Sequence, residues 1–271
     1  MSTGKTSNPV ARFAEKAGKH IVSNVEEIGY CGVLLVESLY WLIAGPRMRQ
    51  PVRVSSVFIQ MMEIGIQAVP IVAVMGVTIG VMLAIQGIHT LKLFGAESQV
   101  TIGIALSVTR EFAPLITGIL VAGRSGSALA ARLGTMKINQ EIDALHVMGV
   151  NPVRFLVVPA LLAMLVMVPS LTLFSGFASM LAAGLYVGLD LKISLAAFIQ
   201  QAIDILSVDD LMHGLGKSFI FSILIAVIGV VNGAMVTGGA EGVGKATTRA
   251  VVQSILALVV TDMIFAFVVT R

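Results

Sequence analysis

Three places in this chain put charge where the surroundings give it no obvious reason to be. Arg110 and Glu111 stand side by side with twelve uncharged residues on each flank, Lys217 opens a long apolar run, and Asp262 lies inside another. An ionised side chain within hydrocarbon costs several kcal/mol unless it is paired, hydrated or near an interface. Neighbouring helix positions point about 100° apart, so Arg110 and Glu111 cannot simply satisfy each other. Asp210 precedes Lys217 by seven residues, which sets the two on roughly one face if a single helix carries both. One long-range arrangement then pairs Arg110 with Asp210 and Glu111 with Lys217. Such a cluster has two uses: it holds an anionic head group against Arg110 or Lys217, or it fixes helix register by buried ion pairs alone. Asp262 reads as a second site, with Gln253 or Thr261 as a polar neighbour, and a proton relay there lacks other acids in line.

Other chemistries find little support. Gly239-Ala-Glu-Gly-Val-Gly244-Lys245-Ala246 nearly spells a phosphate-binding P-loop. That loop needs a hydroxyl after its lysine for Mg²⁺ and a strand before its glycines. Ala246 holds the hydroxyl position and an apolar run precedes the glycines, so a turn between two membrane crossings is expected, with no nucleotide site. His20, His89, His146 and His213 are scattered, and no His/Cys pair has metal-ligand spacing. Ser125 lacks the frame of a nucleophile elbow and an evident base. The chain therefore reads as a non-enzyme, without metal or cofactor of its own.

The elements that must position these charges follow from composition. Of 271 residues, 56% are hydrophobic and 12% charged, and the mean hydropathy is +0.94. A soluble domain carries about twice that share of charge. Five runs could supply the roughly 20 apolar residues needed to cross about 30 Å of hydrocarbon: approximately 64–91, 98–123, 155–189, 218–240 and 250–270. The fold class is thus all-α, a polytopic membrane bundle of about five transmembrane helices. The third run exceeds one crossing and is expected to tilt, project, or bend at Pro159 or Pro169. Gly76/Gly80, Gly184/Gly188 and Gly229/Gly233 form three GxxxG pairs, which suit close helix packing within one bundle or dimerisation.

Thirteen of the eighteen basic residues fall on the side of the N-terminus, so the positive-inside rule places the N-terminus in the cytoplasm and the C-terminus outside. The net charge of +3 does not suggest nucleic acid. Met1 to Glu27 is polar and lacks a signal-peptide core. Within it, Val10, Phe13, Ala14, Ala17, Ile21 and Val25 recur at helical spacing after Asn8 and Pro9, which suits a helix on a membrane surface or one packed on a partner. The stretch 28–46 is apolar but holds Glu37 between basic flanks, and an interfacial or re-entrant helix is expected. Residues 1–50 form this N-terminal part and 51–271 the membrane domain.

Between the second and third runs lies the polar stretch Lys137 to Pro152. Ile138, Ile142, Leu145 and Met148 fit one helical stripe, Glu141 and Asp143 face outward, and Gly149 and Pro152 end the pattern. A short helix over 137–150 either docks a partner or lies on the bilayer.

That stretch, with Arg110-Glu-Phe-Ala-Pro-Leu115, Ala122-Gly-Arg-Ser-Gly-Ser-Ala-Leu129 and Ala246-Thr-Thr-Arg-Ala-Val-Val252, resembles the MlaE/YrbE family of ABC-transporter permeases, from about residue 50 to the C-terminus. The resemblance implies a homodimeric bacterial inner-membrane permease with a periplasmic C-terminus. It implies a separate cytoplasmic ATPase that binds ATP and Mg²⁺, a periplasmic MCE-domain protein and a STAS-domain protein. The implied activity moves phospholipid between inner and outer membranes to maintain outer-membrane asymmetry. By that likeness Glu141, Asp143, Leu145, Met148 and Gly149 belong to a coupling helix entering the ATPase, and Arg110, Glu111, Asp210 and Lys217 match polar positions near the lipid cavity. The alternative from another class is an ion-coupled secondary transporter using Glu111 or Asp262.

Overall fold

A membrane offers backbone amides no water, so a spanning chain satisfies them within helices. The computed structural model, which describes residues 29–45 and 52–269, follows this rule: every regular element among those residues is helical. Among the described residues five helices are long and apolar enough to cross a membrane: Val54–Lys92, Glu97–Ile138, Val153–Leu191, Val208–Ala234 and Gly239–Val268. The helical reading of residues 10–28 and the placement of both termini lie outside the described residues.

Helix α1 (Gly29–Gly45) precedes the spans. The first span joins α2 (Val54–Ile64) to α3 (Val69–Lys92) through a 3-10 turn at Ile66–Ala68. The second contains α4 (Val100–Ser107), a π turn at Val108–Phe112, α5 (Ala113–Val121), a second π turn at Ala122–Gly126 and α6 (Ser127–Ile138). Helix α7 (Glu141–Val147) is followed by a π turn at Val153–Val157 that opens α8 (Val158–Leu191). Then come α9 (Leu195–Ile205), α10 (Val208–Ala234) and α11 (Gly239–Val269). Successive crossings alternate in direction, which gathers Arg53, Arg132, Lys137, Arg154 and Lys245 at one end of the bundle, here called the basic end.

Several boundaries differ from the sequence reading, and for one reason: polar residues end an apolar run without ending a helix. The segment read as a loop from Arg124 is helical as far as Ile138, so the second span has 42 residues. That is roughly 63 Å at 1.5 Å per residue, about twice the hydrocarbon thickness. The segment Glu241 to Arg249 is likewise the first part of α11 rather than a loop. The chain turns earlier, and Gly238 and Gly239 take the left-handed φ values (87° and 71°) that the reversal needs. The stretch 137–150 is not one helix. It breaks at Asn139–Gln140, so Ile138 belongs to α6 and only Glu141–Val147 forms α7. Pro169 sits inside α8, which remains helical through it.

The GxxxG pairs pack the bundle internally. A Cβ on Gly76 or Gly80 would lie 2.9 Å and 2.1 Å from the carbonyl oxygens of Ser175 and Ser179, so α3 and α8 touch backbone to backbone. Ser179 Oγ uses that proximity to donate to the Gly76 carbonyl at 2.8 Å. Gly229 and Gly233 play the same part for α10, against the carbonyls of Gly126 and Ala130. Gly184 admits the Phe198 ring of α9 and the Leu195 side chain. In lipid, where apolar burial drives little association, such close approach is the main source of helix adhesion.

Helix α1 has 17 residues, short of a crossing. Leu34 and Ser38 are buried, and Glu37 accepts from Asn151 Nδ2 at 3.0 Å. Trp41 lies beneath the Arg154 guanidinium, 5.4 Å away. These contacts hold α1 to the start of the third span, at the basic end, while Val33, Val36, Leu39 and Ile43 stay exposed. An apolar outer face at that level suits an interfacial helix.

Candidate functional site

The charges that opened the sequence reading converge. The π turn at Val108–Phe112 carries Arg110 and Glu111, and α10 carries Asp210 and Lys217. A π turn closes each backbone bond over one more residue than an α turn, and such turns often mark functional positions. Here it accompanies close approach of the two spans: a Cβ on Gly214 would stand 2.3 Å from the Thr109 carbonyl oxygen.

Arg110 Nε stands 2.9 Å from Asp210 Oδ1, and Lys217 Nζ donates to Glu111 Oε2. This is the pairing that spacing suggested. Asp210 is fixed from its own helix end as well, because Ser207 and Asp210 form a reciprocal capping box. The Ser207 amide donates to Asp210 Oδ2 at 2.9 Å, and the Asp210 amide donates to Ser207 Oγ at 3.2 Å. The box starts α10 with a carboxylate near its positive dipole end.

Asp262 is not a second site. Its Oδ1 lies 3.0 Å from Lys217 Nζ, so α11 joins the same cluster. Gln253, read as a neighbour of Asp262, instead accepts from Asn232 Nδ2 at 2.7 Å. Sequence could not reveal the Lys217–Asp262 contact, because periodicity fixes faces within a helix but not which helices meet. Phe265, one turn after Asp262, was also missed: its ring stacks edge-on against His213 and lies under the Lys217 ammonium, 5.8 Å from its centre.

The cluster therefore contains two cations and three carboxylates drawn from three spans. Lys217 is wholly buried, whereas the Arg110 and Glu111 side chains retain 41% and 39% exposure. A set of ion pairs serving register alone has no need to leave members open. Chemically the arrangement can offer a guanidinium and a carboxylate to a charged group entering from the side, while Lys217 stays as fixed counter-charge. Among the described residues no His, Cys, Asp and Glu grouping could hold a metal ion.

The second candidate site is α7. Seven residues rarely hold a helix alone, and a Schellman motif finishes this one. The amides of Gly149 and Val150 donate to the carbonyls of His146 and Leu145, with Gly149 at φ +73°. Lys137 Nζ reaches Asp143 at 3.2 Å and Asn139 Nδ2 donates to Glu141, which brace its start. Leu145 turns inward to a small cavity shared with Arg53 and Phe155. Met148, placed on the same stripe by sequence, lines that cavity too but is 67% exposed, and Val147 is 89% exposed. The tip of α7 thus presents two bare apolar side chains beside Glu141 and Asp143, which are also exposed.

Comparison with known proteins adds to this geometry. The model of the family described as Permease MlaE matches residues 57–268. The chain is 31% identical to an intermembrane phospholipid transport system permease protein of Haemophilus influenzae, covering 94% of this chain and 96% of that one. It is 30% identical to a probable ABC transporter permease protein of Rickettsia typhi, over 92% of this chain and 95% of the relative. A probable ABC transporter permease protein of a Synechocystis species is 36% identical over 77% and 79%.

Proposed function

Because the chain belongs to the MlaE family of ABC transporter permeases, we propose that it is the membrane subunit through which phospholipid passes between inner and outer membranes, powered by a separate cytoplasmic ATPase. The observation that carries this reading is the half-open charge cluster around Lys217. Arg110 is exposed enough to exchange its aspartate for a lipid phosphate, and Glu111 to meet a cationic head group. The name of the Haemophilus relative supports phospholipid as cargo. In this reading the chain works as a homodimer in a bacterial inner membrane, with its basic end and N-terminus cytoplasmic and its C-terminus periplasmic. A periplasmic MCE-domain protein and a STAS-domain protein complete the assembly. ATP and Mg²⁺ are bound by the ATPase, none by this chain.

Reconstitution tests it. Proteoliposomes holding this chain and its ATPase are expected to transfer phospholipid on adding ATP, and to lose that transfer without the ATPase. Full-rate transfer by the chain alone, or transfer driven by an ion gradient without nucleotide, would discard the reading.

The exposed tip of α7 supports ATPase docking. Val147→Glu is expected to reduce ATPase co-purification and ATP-driven transfer at least tenfold while leaving the melting temperature of the chain unchanged. Unchanged assembly and transfer would remove α7 from the coupling role. Leu145→Glu is a poorer probe, since its side chain packs inward and loss of α7 itself would produce the same result.

A further inference from the structure

We propose that the cleft between the first and second spans at the basic end is a phosphate-binding site, taking the phosphate of a membrane lipid or a free phosphate ester. The cleft has a volume of about 360 Å³ and is lined by Glu63, Gln67, Arg124 and Arg132 above an apolar floor that includes Leu129. Arg124 comes from the second π turn of the second span, as Arg110 comes from the first.

Among the described residues the hydrogen bonds leave positive charge without an opposite. Arg124 Nη1 donates to the Glu63 carbonyl at 3.0 Å and Nη2 to Gln67 Oε1 at 2.9 Å, both uncharged acceptors. Arg132 Nη1 lies 3.3 Å from Glu63 Oε2, a carboxylate that is itself 55% exposed. Arg132 Nε is shielded from solvent and has no acceptor among the described residues. Two guanidiniums therefore stand beside one carboxylate, which only Arg132 contacts, and a buried donor has no acceptor among the described residues. An ion-pair clamp between helices would match its charges and satisfy that donor. A phosphate does both, because a guanidinium offers the planar donor fork that phosphate oxygens accept.

Position favours a head group. Arg124 follows Arg110 by fourteen residues and Arg132 by twenty-two, about 21 and 33 Å along the helix. The cleft thus lies about 21–33 Å from Arg110 along the span, toward the basic end. The site deepens the permease reading and rests on it only for the carrier of the phosphate. A lipid phosphate held here would lie nearer the basic end than one held at Arg110.

Native mass spectrometry of the full chain in neutral detergent tests this, with phosphatidylglycerol, diacylglycerol of the same acyl chains and glycerol phosphate as probes. Arg132→Gln removes the donor, and Ala128→Phe fills the cleft mouth without touching a charge. Both variants are expected to retain phosphatidylglycerol about tenfold less tightly than the unmodified chain, equivalent to roughly 1.4 kcal/mol, and to retain diacylglycerol equally. If glycerol phosphate at equal concentration displaces the lipid, the site takes the free ester. If only the intact lipid binds, the site belongs to the bilayer. Equal phosphatidylglycerol retention by the unmodified chain and both variants would overturn the proposal. Retention is read without transport, so its failure leaves the reconstitution result standing, and the reverse holds too.

Discussion

Lys217→Met is expected to be the most damaging single substitution in the chain, lowering its melting temperature in detergent by on the order of 10 °C and abolishing lipid transfer. Lys217 is fully buried and contacts both Glu111 and Asp262. Removing it leaves two carboxylates, Glu111 at 39% and Asp262 at 16% exposure, with no cation between them. Breaking a buried pair from one side typically costs about 3–5 kcal/mol, far more than the pair itself contributes, because the remaining charge stays desolvated. The sign of the effect is therefore set by what is left behind. Adding Glu111→Gln and Asp262→Asn to Lys217→Met is expected to restore most of the melting temperature but not the transfer activity. A single variant that melts and transports like the parent would remove the cluster from both roles, and a triple variant that transports normally would leave it a structural one.

Gly80→Ala is expected to follow closely. The added Cβ would sit 2.1 Å from the Ser179 carbonyl oxygen and 2.7 Å from its carbon, which are backbone atoms that cannot rotate away. The first and third spans must separate, and the hydrogen bond from Ser179 to Gly76 is lost with the contact. Overpacking costs about 1–3 kcal/mol where side chains can yield, so a backbone clash belongs at or above the top of that range. Gly103→Ala provides the opposite sign. Nothing lies within 4 Å of its added Cβ, and alanine favours helix over glycine by roughly 1 kcal/mol. Thermal unfolding of the two variants should therefore move in opposite directions. Equal shifts would show that the α3–α8 contact does not limit stability.

The charges and the crossings differ in how far sequence alone discloses them. Arg110, Glu111, Asp210 and Lys217 were legible because charge inside an apolar run demands a partner, and few partners were available. The five crossings were legible from hydrophobic length alone. Asp262 reads as a separate site in sequence because its partner, 3.0 Å away on the preceding span, is forty-five residues away along the chain. Helix ends were misplaced wherever α-helix continued past the hydrocarbon, as in α6 and the start of α11. Hydropathy measures where lipid stops, whereas helix continues until a residue such as Gln140, held at φ 58°, or Gly239 breaks its dihedral pattern. In sequence Arg132 is a topology signal alone and Arg124 adds only its place in the Ala122–Leu129 motif, since their joint significance depends on Glu63 and Gln67 arriving from another span.

The two π turns of the second span bear on how this chain can vary in length. Each holds one residue more than an α turn would. A one-residue deletion within Val108–Phe112 or Ala122–Gly126 would convert that turn to regular helix and leave every flanking side chain on its present face. The same deletion in α5 would swing the downstream helix by about 100°, carrying Leu129 and Leu133 off the core they now fill. The second span thus has two positions where a residue can be lost without loss of phase, and they are the positions that carry Arg110 and Arg124.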